Sequence, residues 1–306
     1  MLQFISSVLI ASAVFNFVGL LANLFIAVVN YKSWMQNHRI SSSDRILFSL
    51  AITRFLMLGS FLLLVIYQFL FPLVLRSVFI LIFSRLCWVF LESTSLWFMT
   101  LLNTLYCVKI TNFQHSVFLL LKRNLSPKTP WLLLACVLIS FFITLLYFVL
   151  RLTSPIPPYM LGRNNTEIDL NAEVLPILMS VALSCCLQFI LNVASTSLVI
   201  KSLWQHIKMM QKNNTKFWNP RTEALAGAMK QMIYFLMAYV PHSVLMLLFY
   251  LNIAIGETVE HLTIYSFFST LYHPGHSVLI VLTHPRLKAE AKKMLCFSRS
   301  CKFDCK

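Results

Sequence analysis

Seven long apolar stretches constrain the fold of this chain more than any other feature. A helix needs about 20 mostly apolar residues to cross a bilayer, and windows of that kind occur at 3–30, 46–74, 86–108, 130–150, 174–200, 231–256 and 261–283. The stretches are continuous, whereas the strands of a membrane barrel are short and alternate in polarity. The sequence therefore predicts an all-α membrane protein: a single domain over 1–306, with a seven-transmembrane helical bundle and a cytosolic tail at 284–306.

The composition excludes an ordinary water-soluble protein. Only 11% of the residues are charged and 58% are hydrophobic, whereas a soluble domain carries about 25% charged residues. Most of the exterior must therefore face lipid, so the bilayer is the first partner that the sequence predicts. The net charge of +15 is then better explained by the sidedness of a membrane than by nucleic acid, which we do not expect as a partner.

Basic residues are divided unevenly between the two sides of the predicted bundle. Of the 25 Lys and Arg residues, 20 lie in the segments 31–45, 109–128, 201–230 and 284–306. Because basic residues accumulate on the cytosolic side, the amino terminus is predicted outside the cell and the carboxyl terminus in the cytosol.

Three glycosylation sequons then fall on different sides of the membrane. Those at Asn124 and Asn213 lie in cytosolic segments, whereas the one at Asn164 lies in the outside connection between the fourth and fifth stretches. Asn164 is therefore the predicted glycosylation site.

Arg54 places a charge inside the second apolar stretch. An intramembrane charge costs about 2.5–3.5 kcal/mol on insertion scales, so Arg54 needs polar partners within the bundle. Asn23 of the first stretch is a candidate. The pair either forms a static packing contact or belongs to a network that holds the helices in one of two arrangements.

Glu92 is a second intramembrane charge, near the outer end of the third stretch. Trp88 lies at i−4 and Ser95 at i+3 on the same helical face. An acid beside an indole and a hydroxyl is typical of a pocket for an apolar ligand that carries one amine or hydroxyl. The alternative is a salt bridge from Glu92 to Arg85 or Arg76 at the rim.

Prolines and histidines mark the last two stretches. Pro241 predicts a bend in the sixth, after which His242 faces either pocket or lipid, and Pro274 predicts a break in the seventh. His273 and His276 lie on adjacent turns, but no acid or Cys near them in sequence completes a metal site, so we expect no metal. No hydrolase elbow, Walker loop or zinc-protease motif occurs, so neither enzyme activity nor a cofactor is predicted.

Several motifs together resemble one family of seven-span receptors. The sequence lacks the Asp-Arg-Tyr and Asn-Pro-x-x-Tyr motifs of rhodopsin-like receptors. It contains instead the motifs LAITR at 50–54, LYCVKITNF at 105–113, SLVIKSLWQH at 197–206 and HPGHS at 273–277. In these motifs, and along nearly its whole length, the sequence resembles the vertebrate type 2 taste receptors, the bitter receptors.

The resemblance implies a bitter receptor of the plasma membrane that binds small bitter agonists between the outer halves of its helices. It further implies activation of a heterotrimeric G protein of the gustducin type at the cytosolic face. A transporter or channel is the alternative, but those proteins typically show internal repeats, and the two halves of this chain do not resemble each other.

The resemblance also assigns roles to residues. It implies a core switch network of Asn23, Arg54 and Ser277. For the face that meets the G protein, it implies Tyr106, Lys109, His206 and Lys230. Together with the sequence argument for Glu92 and Ser95, it implies ligand contacts from Trp88, His242, Ser266, Ser269 and Thr270.

Overall fold

A computed structural model describes residues 2–37, 41–70, 78–110, 120, 123–153, 175–212, 220–255 and 259–303. Within these ranges the chain is helical, and its long elements follow one another without a strand. In chain order they are α1 Leu2–Asn37, α2 Ser42–Leu70, α3 Val78–Ile110, α4 Thr129–Thr153, α5 Leu175–Lys212, α6 Pro220–Ile255, α7 Val259–Thr283 and α8 Pro285–Phe303.

The first seven helices coincide with the seven apolar stretches, which confirms the seven-transmembrane helical bundle. By length and composition, α1, α2, α4, α5 and α6 are each able to cross a membrane within the described residues. The helices α5 and α6 extend beyond the apolar windows, to 212 and back to 220, because charged residues outside the bilayer continue the helical backbone without loss of hydrogen bonds.

The first seven helices pack as a closed bundle, and α3 is its most central helix. Each helix from α1 to α7 contacts the next one along the chain, and α7 returns to contact α1. The helix α3 also contacts α5 and α6. Polar side chains on α3 are therefore placed where they can meet partners from most of the bundle.

The exterior is apolar and the interior contains many polar groups, the reverse of a soluble protein. On α4, the side chains of Trp131, Phe141 and Phe142 are each more than half exposed. Arg54 and Asn103, by contrast, are fully buried. This inversion is what a bundle needs when lipid rather than water surrounds it.

The seventh helix packs closely against α1. A Cβ atom added at Gly19 would lie 2.7 Å from the Cβ of Pro274, which leaves no room for a larger side chain. The predicted break at Pro274 is wrong, because α7 continues through it to Thr283. A proline removes only one backbone hydrogen bond, and the neighbouring turns keep the helix intact.

The predicted tail contains a further helix, α8. Pro285 opens it, as proline often does at the first helical position. Arg286 anchors α8 to the bundle: it donates hydrogen bonds to the Asp44 carboxylate at 3.3 Å and to the Val29 carbonyl at 3.2 Å. Burial lowers the pKa of His284 at the α7–α8 junction, although the Asp44 charge opposes that effect.

Candidate functional site

A buried acid lies at the centre of the bundle between two histidines, and we name Glu92, His242 and His273 the acid cluster. The Oε1 atom of Glu92 is 3.2 Å from Nε2 of His242 and 3.8 Å from Nε2 of His273. The exposed fractions of the three residues are 7%, 3% and 0%. The cluster therefore joins α3, α6 and α7 through side chains that solvent barely reaches.

Aromatic rings enclose the acid cluster. The indole Nε1 of Trp88 donates a 3.0 Å hydrogen bond to Oε2 of Glu92, which leaves Oε1 to the histidines. Phe61 of α2 packs against the Trp88 ring, with their centroids 5.8 Å apart. Tyr272 stacks on His242 at 4.4 Å. Fixed rings around a carboxylate make a site that suits an apolar ligand with one cationic or donor group.

A second cluster forms around Arg54, and we name it the arginine cluster. Arg54 is fully buried; its Nε donates to the Ser95 hydroxyl at 2.9 Å and its Nη1 donates to His276 Nδ1 at 2.8 Å. Ser277 accepts from Arg54 at 3.3 Å and lies 3.1 Å from Asn23 Oδ1. The arginine cluster therefore ties α1, α2, α3 and α7 together.

The two clusters meet on α7. His273 faces Glu92, and His276, one turn later, holds Arg54. The Ser277 hydroxyl also lies 2.9 Å from the His273 carbonyl oxygen. Any rotation or shift of this turn must therefore change both clusters together.

A third polar network, of neutral groups, links α3 with α5 and α6. The Asn103 amide donates to Asn192 at 2.8 Å, and the Asn192 amide donates to Thr100 at 3.0 Å. The hydroxyl of Tyr239 lies 3.2 Å from Gln188 Oε1. The hydrogen bonds of this network provide partners for polar groups that would otherwise be costly to bury inside a membrane.

A cavity of about 340 Å³ lies between α6 and α7, beside the acid cluster. His242 and Tyr272 form part of its wall, while Pro241, Phe268 and Gly275 are exposed. His276 also lines it, and the remaining lining is apolar, from side chains such as Leu245, so an apolar molecule of modest size fits its chemistry.

The structure does not bring all of the predicted ligand residues to one location. Trp88, Glu92 and His242 come together in the acid cluster. Ser95 lies instead in the arginine cluster, because its place one turn along α3 turns it toward α2. Thr270 is buried and donates its hydroxyl to the Phe267 carbonyl at 2.7 Å. The side chains of Ser266 and Ser269 lie outside the described residues.

Of the predicted G-protein residues, Tyr106 and Lys109 lie near the end of α3, and Lys230 lies in the first third of α6. Tyr106 packs against a cluster of Cys107, Val199 and Met232, which joins α3 to α5 and α6. Lys109 and Lys230 are exposed. The side chain of His206 lies outside the described residues, as do Arg85 and Arg76. The predicted glycosylation site, Asn164, also lies outside them.

The sequence analysis missed two features of the site. Glu92 is the acid beside His273, and it lies on α3, far from His273 in sequence. The second feature is the network of Asn103 and Asn192. Its signal was present, because Thr100 and Asn103 are three residues apart, and Gln188 and Asn192 four apart, on single helical faces.

Comparison with known proteins gives a consistent result. Residues 1–299 match the family described as Taste receptor protein (TAS2R). The chain is 60% identical over 296 residues to Taste receptor type 2 member 4 of Pan paniscus, with 97% of this chain and 99% of the relative covered. It is 59% identical over 296 residues to the Homo sapiens protein of that name, with the same coverage. Identity to the Mus musculus protein is 53% over 287 residues, covering 94% of this chain and 96% of the relative.

Proposed function

The chain belongs to the type 2 taste receptors, the bitter taste receptors, and from this premise we propose that it binds small bitter compounds at the acid cluster and activates a gustducin-type G protein. The family is one of signalling receptors and not of enzymes. The chain is accordingly a multi-pass membrane protein. We further propose that its amino terminus is extracellular, that its carboxyl terminus is cytosolic and that it resides in the plasma membrane.

The observation that carries the proposed ligand site is the buried carboxylate of Glu92. It lies among Trp88, His242 and His273, which come from α3, α6 and α7. A single acid in an apolar, aromatic site favours a ligand with one amine, since the charge pair is strengthened where water is excluded. The neighbouring cavity provides room for the apolar part of such a compound.

Activation requires that a ligand bind two arrangements of the bundle with different affinity. The α7 turn that contains His273 and His276 provides a physical link, because it contacts both the acid cluster and the arginine cluster. A ligand that engages Glu92 competes with the histidines for the same oxygen. We propose that this competition moves the α7 turn and, through Arg54 and Ser277, changes how α1, α2 and α7 pack.

The proposed coupling surface is the cytosolic end of α3, α5 and α6. Lys109 and Lys230 are exposed there, and Tyr106 packs at the junction of the three helices. Exposed cations on this surface suit acidic groups of a partner protein. They affect the rate at which the partner associates with the receptor more than they affect the affinity. The role proposed for His206 completes this surface.

The ligand site is tested by a dose–response screen in transfected cells. A panel of bitter compounds with and without an amine is applied to the wild type and to Glu92→Gln, with surface expression measured for both. We expect the potency of amine agonists to fall about tenfold or more in Glu92→Gln, since a charge-assisted bond is lost. Neutral agonists should change little. Glu290→Gln is the matched control, because that carboxylate is on α8 and pairs with Lys293.

Two results would contradict this proposal. If the wild type reached the surface and no compound produced a calcium or G-protein signal, the receptor would not sense bitter compounds. If Glu92→Gln affected amine and neutral agonists equally, Glu92 would not be the partner of the amine.

The coupling surface is tested by reversing one charge. Lys109→Glu should lower the maximal G-protein signal without lowering surface expression, because an exposed side chain at a helix end contributes little to packing. Lys109→Arg keeps the charge and is the control. Full signalling by Lys109→Glu would remove Lys109 from the proposed surface.

A further inference from the structure

The acid cluster has a second chemical capacity that does not depend on the proposed function. Its three side chains are a carboxylate and two imidazoles, which are the oxygen and nitrogen ligands that zinc-class cations prefer. One ligand atom from each of Glu92, His242 and His273 lies within 4.8 Å of the other two. All three residues are more than nine-tenths buried.

Both distances are compatible with ligands of one metal ion, and only one of them is compatible with a hydrogen bond. Zinc bonds to nitrogen and oxygen are about 2.0–2.2 Å, so ligand atoms at a tetrahedral ion lie roughly 3.4 Å apart. The Oε1 atom of Glu92 is 3.2 Å from His242 Nε2 and 3.8 Å from His273 Nε2, one distance on each side of that value. The second distance is too long for a hydrogen bond.

The histidines also lack the partners that buried polar groups normally have. Within the described part of the chain, neither nitrogen of His273 makes a hydrogen bond, and Nδ1 of His242 makes none. Buried nitrogen atoms without partners are uncommon in folded proteins and call for an explanation. An ion at the cluster would bind one nitrogen of each ring.

The surroundings already orient the acid for such a role. Trp88 donates to Oε2 of Glu92 at 3.0 Å, and a second-shell bond of this kind fixes a carboxylate so that its other oxygen faces the metal. Tyr272 stacks on His242 and restricts its ring. The neighbouring His276 is not one of the three residues whose ligand atoms converge, and its Nδ1 accepts a hydrogen bond from Arg54 at 2.8 Å.

We propose that Glu92, His242 and His273 form a binding site for one divalent cation of the zinc class. Three protein ligands leave the fourth tetrahedral position open, as in zinc sites that also bind a small molecule. The ion would connect α3, α6 and α7. The hard cations Mg²⁺ and Ca²⁺, which prefer shells of oxygen ligands, should not bind there.

The test uses the purified full-length receptor in detergent. Zn²⁺ is titrated by calorimetry, and the thermal midpoint is followed with Zn²⁺, Mg²⁺ or Ca²⁺ present. We expect one Zn²⁺ per chain and a higher midpoint with Zn²⁺ alone. His273→Ala and Glu92→Gln should each weaken zinc binding about tenfold or more. His276→Asn, one turn away on α7, is the matched control and should retain the binding.

A spectroscopic measurement decides the question even where a variant does not fold. Co²⁺ substituted into the wild type absorbs in the visible range, and its spectrum distinguishes nitrogen and oxygen ligands from thiolates. A tetrahedral nitrogen–oxygen spectrum supports the site. A thiolate spectrum would place the ion on cysteines and overturn the proposal, as would the absence of any stoichiometric binding or a full zinc affinity in His273→Ala. None of these readouts requires signalling, so the proposal fails or stands separately from the proposed function.

Discussion

Two buried polar clusters lie one turn apart along α3, and they differ in how well they are satisfied. In the arginine cluster, Arg54 donates to Ser95, His276 and Ser277 over 2.8–3.3 Å. In the acid cluster, among the described residues, both nitrogens of His273 lack a hydrogen-bond partner. Arg54 Nη2 and His276 Nε2 also lack a partner among the described residues, but every side chain of the arginine cluster makes at least one hydrogen bond, whereas the His273 ring makes none. The acid cluster therefore has more binding capacity left for a ligand or an ion.

The two neighbouring clusters are therefore expected to contribute differently, the arginine cluster mainly to stability and the acid cluster mainly to function. A network in which each side chain is hydrogen-bonded stabilises one arrangement of helices, and its loss leaves several buried groups without partners at once. A cluster with fewer hydrogen bonds contributes less to stability, but it can exchange its few contacts for those of an incoming molecule. We therefore expect substitutions in the arginine cluster to change folding most, and those in the acid cluster to change response most.

Arg54→Met should have the largest effect on stability. The substitution keeps the length of the side chain but removes every donor, so Ser95, His276 and Ser277 lose their shared partner. We expect a loss of about 3 kcal/mol or more. The measurements are the thermal midpoint in detergent and the fraction of the receptor at the cell surface. Arg54→Lys keeps one charged donor and should fall between the wild type and Arg54→Met.

Arg54→Met at wild-type stability would contradict the comparison. It would mean that the arginine cluster does not hold α1, α2, α3 and α7 together.

Much of the fold, but only part of the site, could be predicted from the sequence. Seven apolar stretches fixed the seven helices, because lipid leaves the backbone no other solution. The sequence also showed that Arg54 and Glu92 are buried charges that need partners. Periodicity along one helix correctly placed Trp88 beside Glu92, since residues four apart share a face.

The partners on other helices could not be predicted in the same way. His242 and His273 reach Glu92 from α6 and α7, and that depends on how the helices rotate about their axes. Ser95 illustrates the limit: it shares a helix with Glu92, yet three residues are enough rotation to turn it toward Arg54. The helix α8 was missed because a polar, basic segment gives no apolar signal.

Gly19→Ala should have the second largest effect, and Gly59→Ala is its matched control. An added Cβ at Gly19 would lie 2.7 Å and 2.8 Å from Pro274 atoms, beside the arginine cluster. At Gly59 the nearest atom would be Leu20 Cδ1 at 3.5 Å, an ordinary contact. We expect Gly19→Ala to lower stability by about 1–3 kcal/mol.

The control should not lose stability. Gly59→Ala should be neutral or more stable by about 0.5–1 kcal/mol, because alanine favours the helix. The thermal midpoints of the two variants measure the difference. Equal midpoints would show that the close approach of α1 and α7 does not contribute to the stability of the arginine cluster.

The third prediction concerns the atom of His276 that Arg54 uses. Nδ1 accepts the 2.8 Å hydrogen bond, and an asparagine amide oxygen falls close to the position of that nitrogen. His276→Asn should therefore keep the bond, whereas His276→Leu leaves Arg54 without it. We expect His276→Leu to be less stable than His276→Asn by about 1–2 kcal/mol. Thermal midpoints of both variants test this, and equal values would show that the imidazole only fills space.

The smallest effect on stability should come from His273→Leu, although it is one turn from His276 on the same helix. Among the described residues His273 makes no hydrogen bond through either nitrogen, so replacing it with an apolar side chain of similar size removes an unsatisfied buried group. We expect a change in stability within about 1 kcal/mol in either direction. The same variant should lose zinc binding and alter the response to agonists.

The pair His273→Leu and His276→Leu is therefore the sharpest test of the comparison, since both replace a fully buried histidine of α7 with leucine. Side by side, thermal midpoints and agonist responses at matched surface level should separate them. His276→Leu should lose mainly stability, and His273→Leu mainly response. A large loss of stability in His273→Leu would mean that the acid cluster is itself part of the scaffold, because its histidine would then hold α7 as firmly as the histidine bound to Arg54 does.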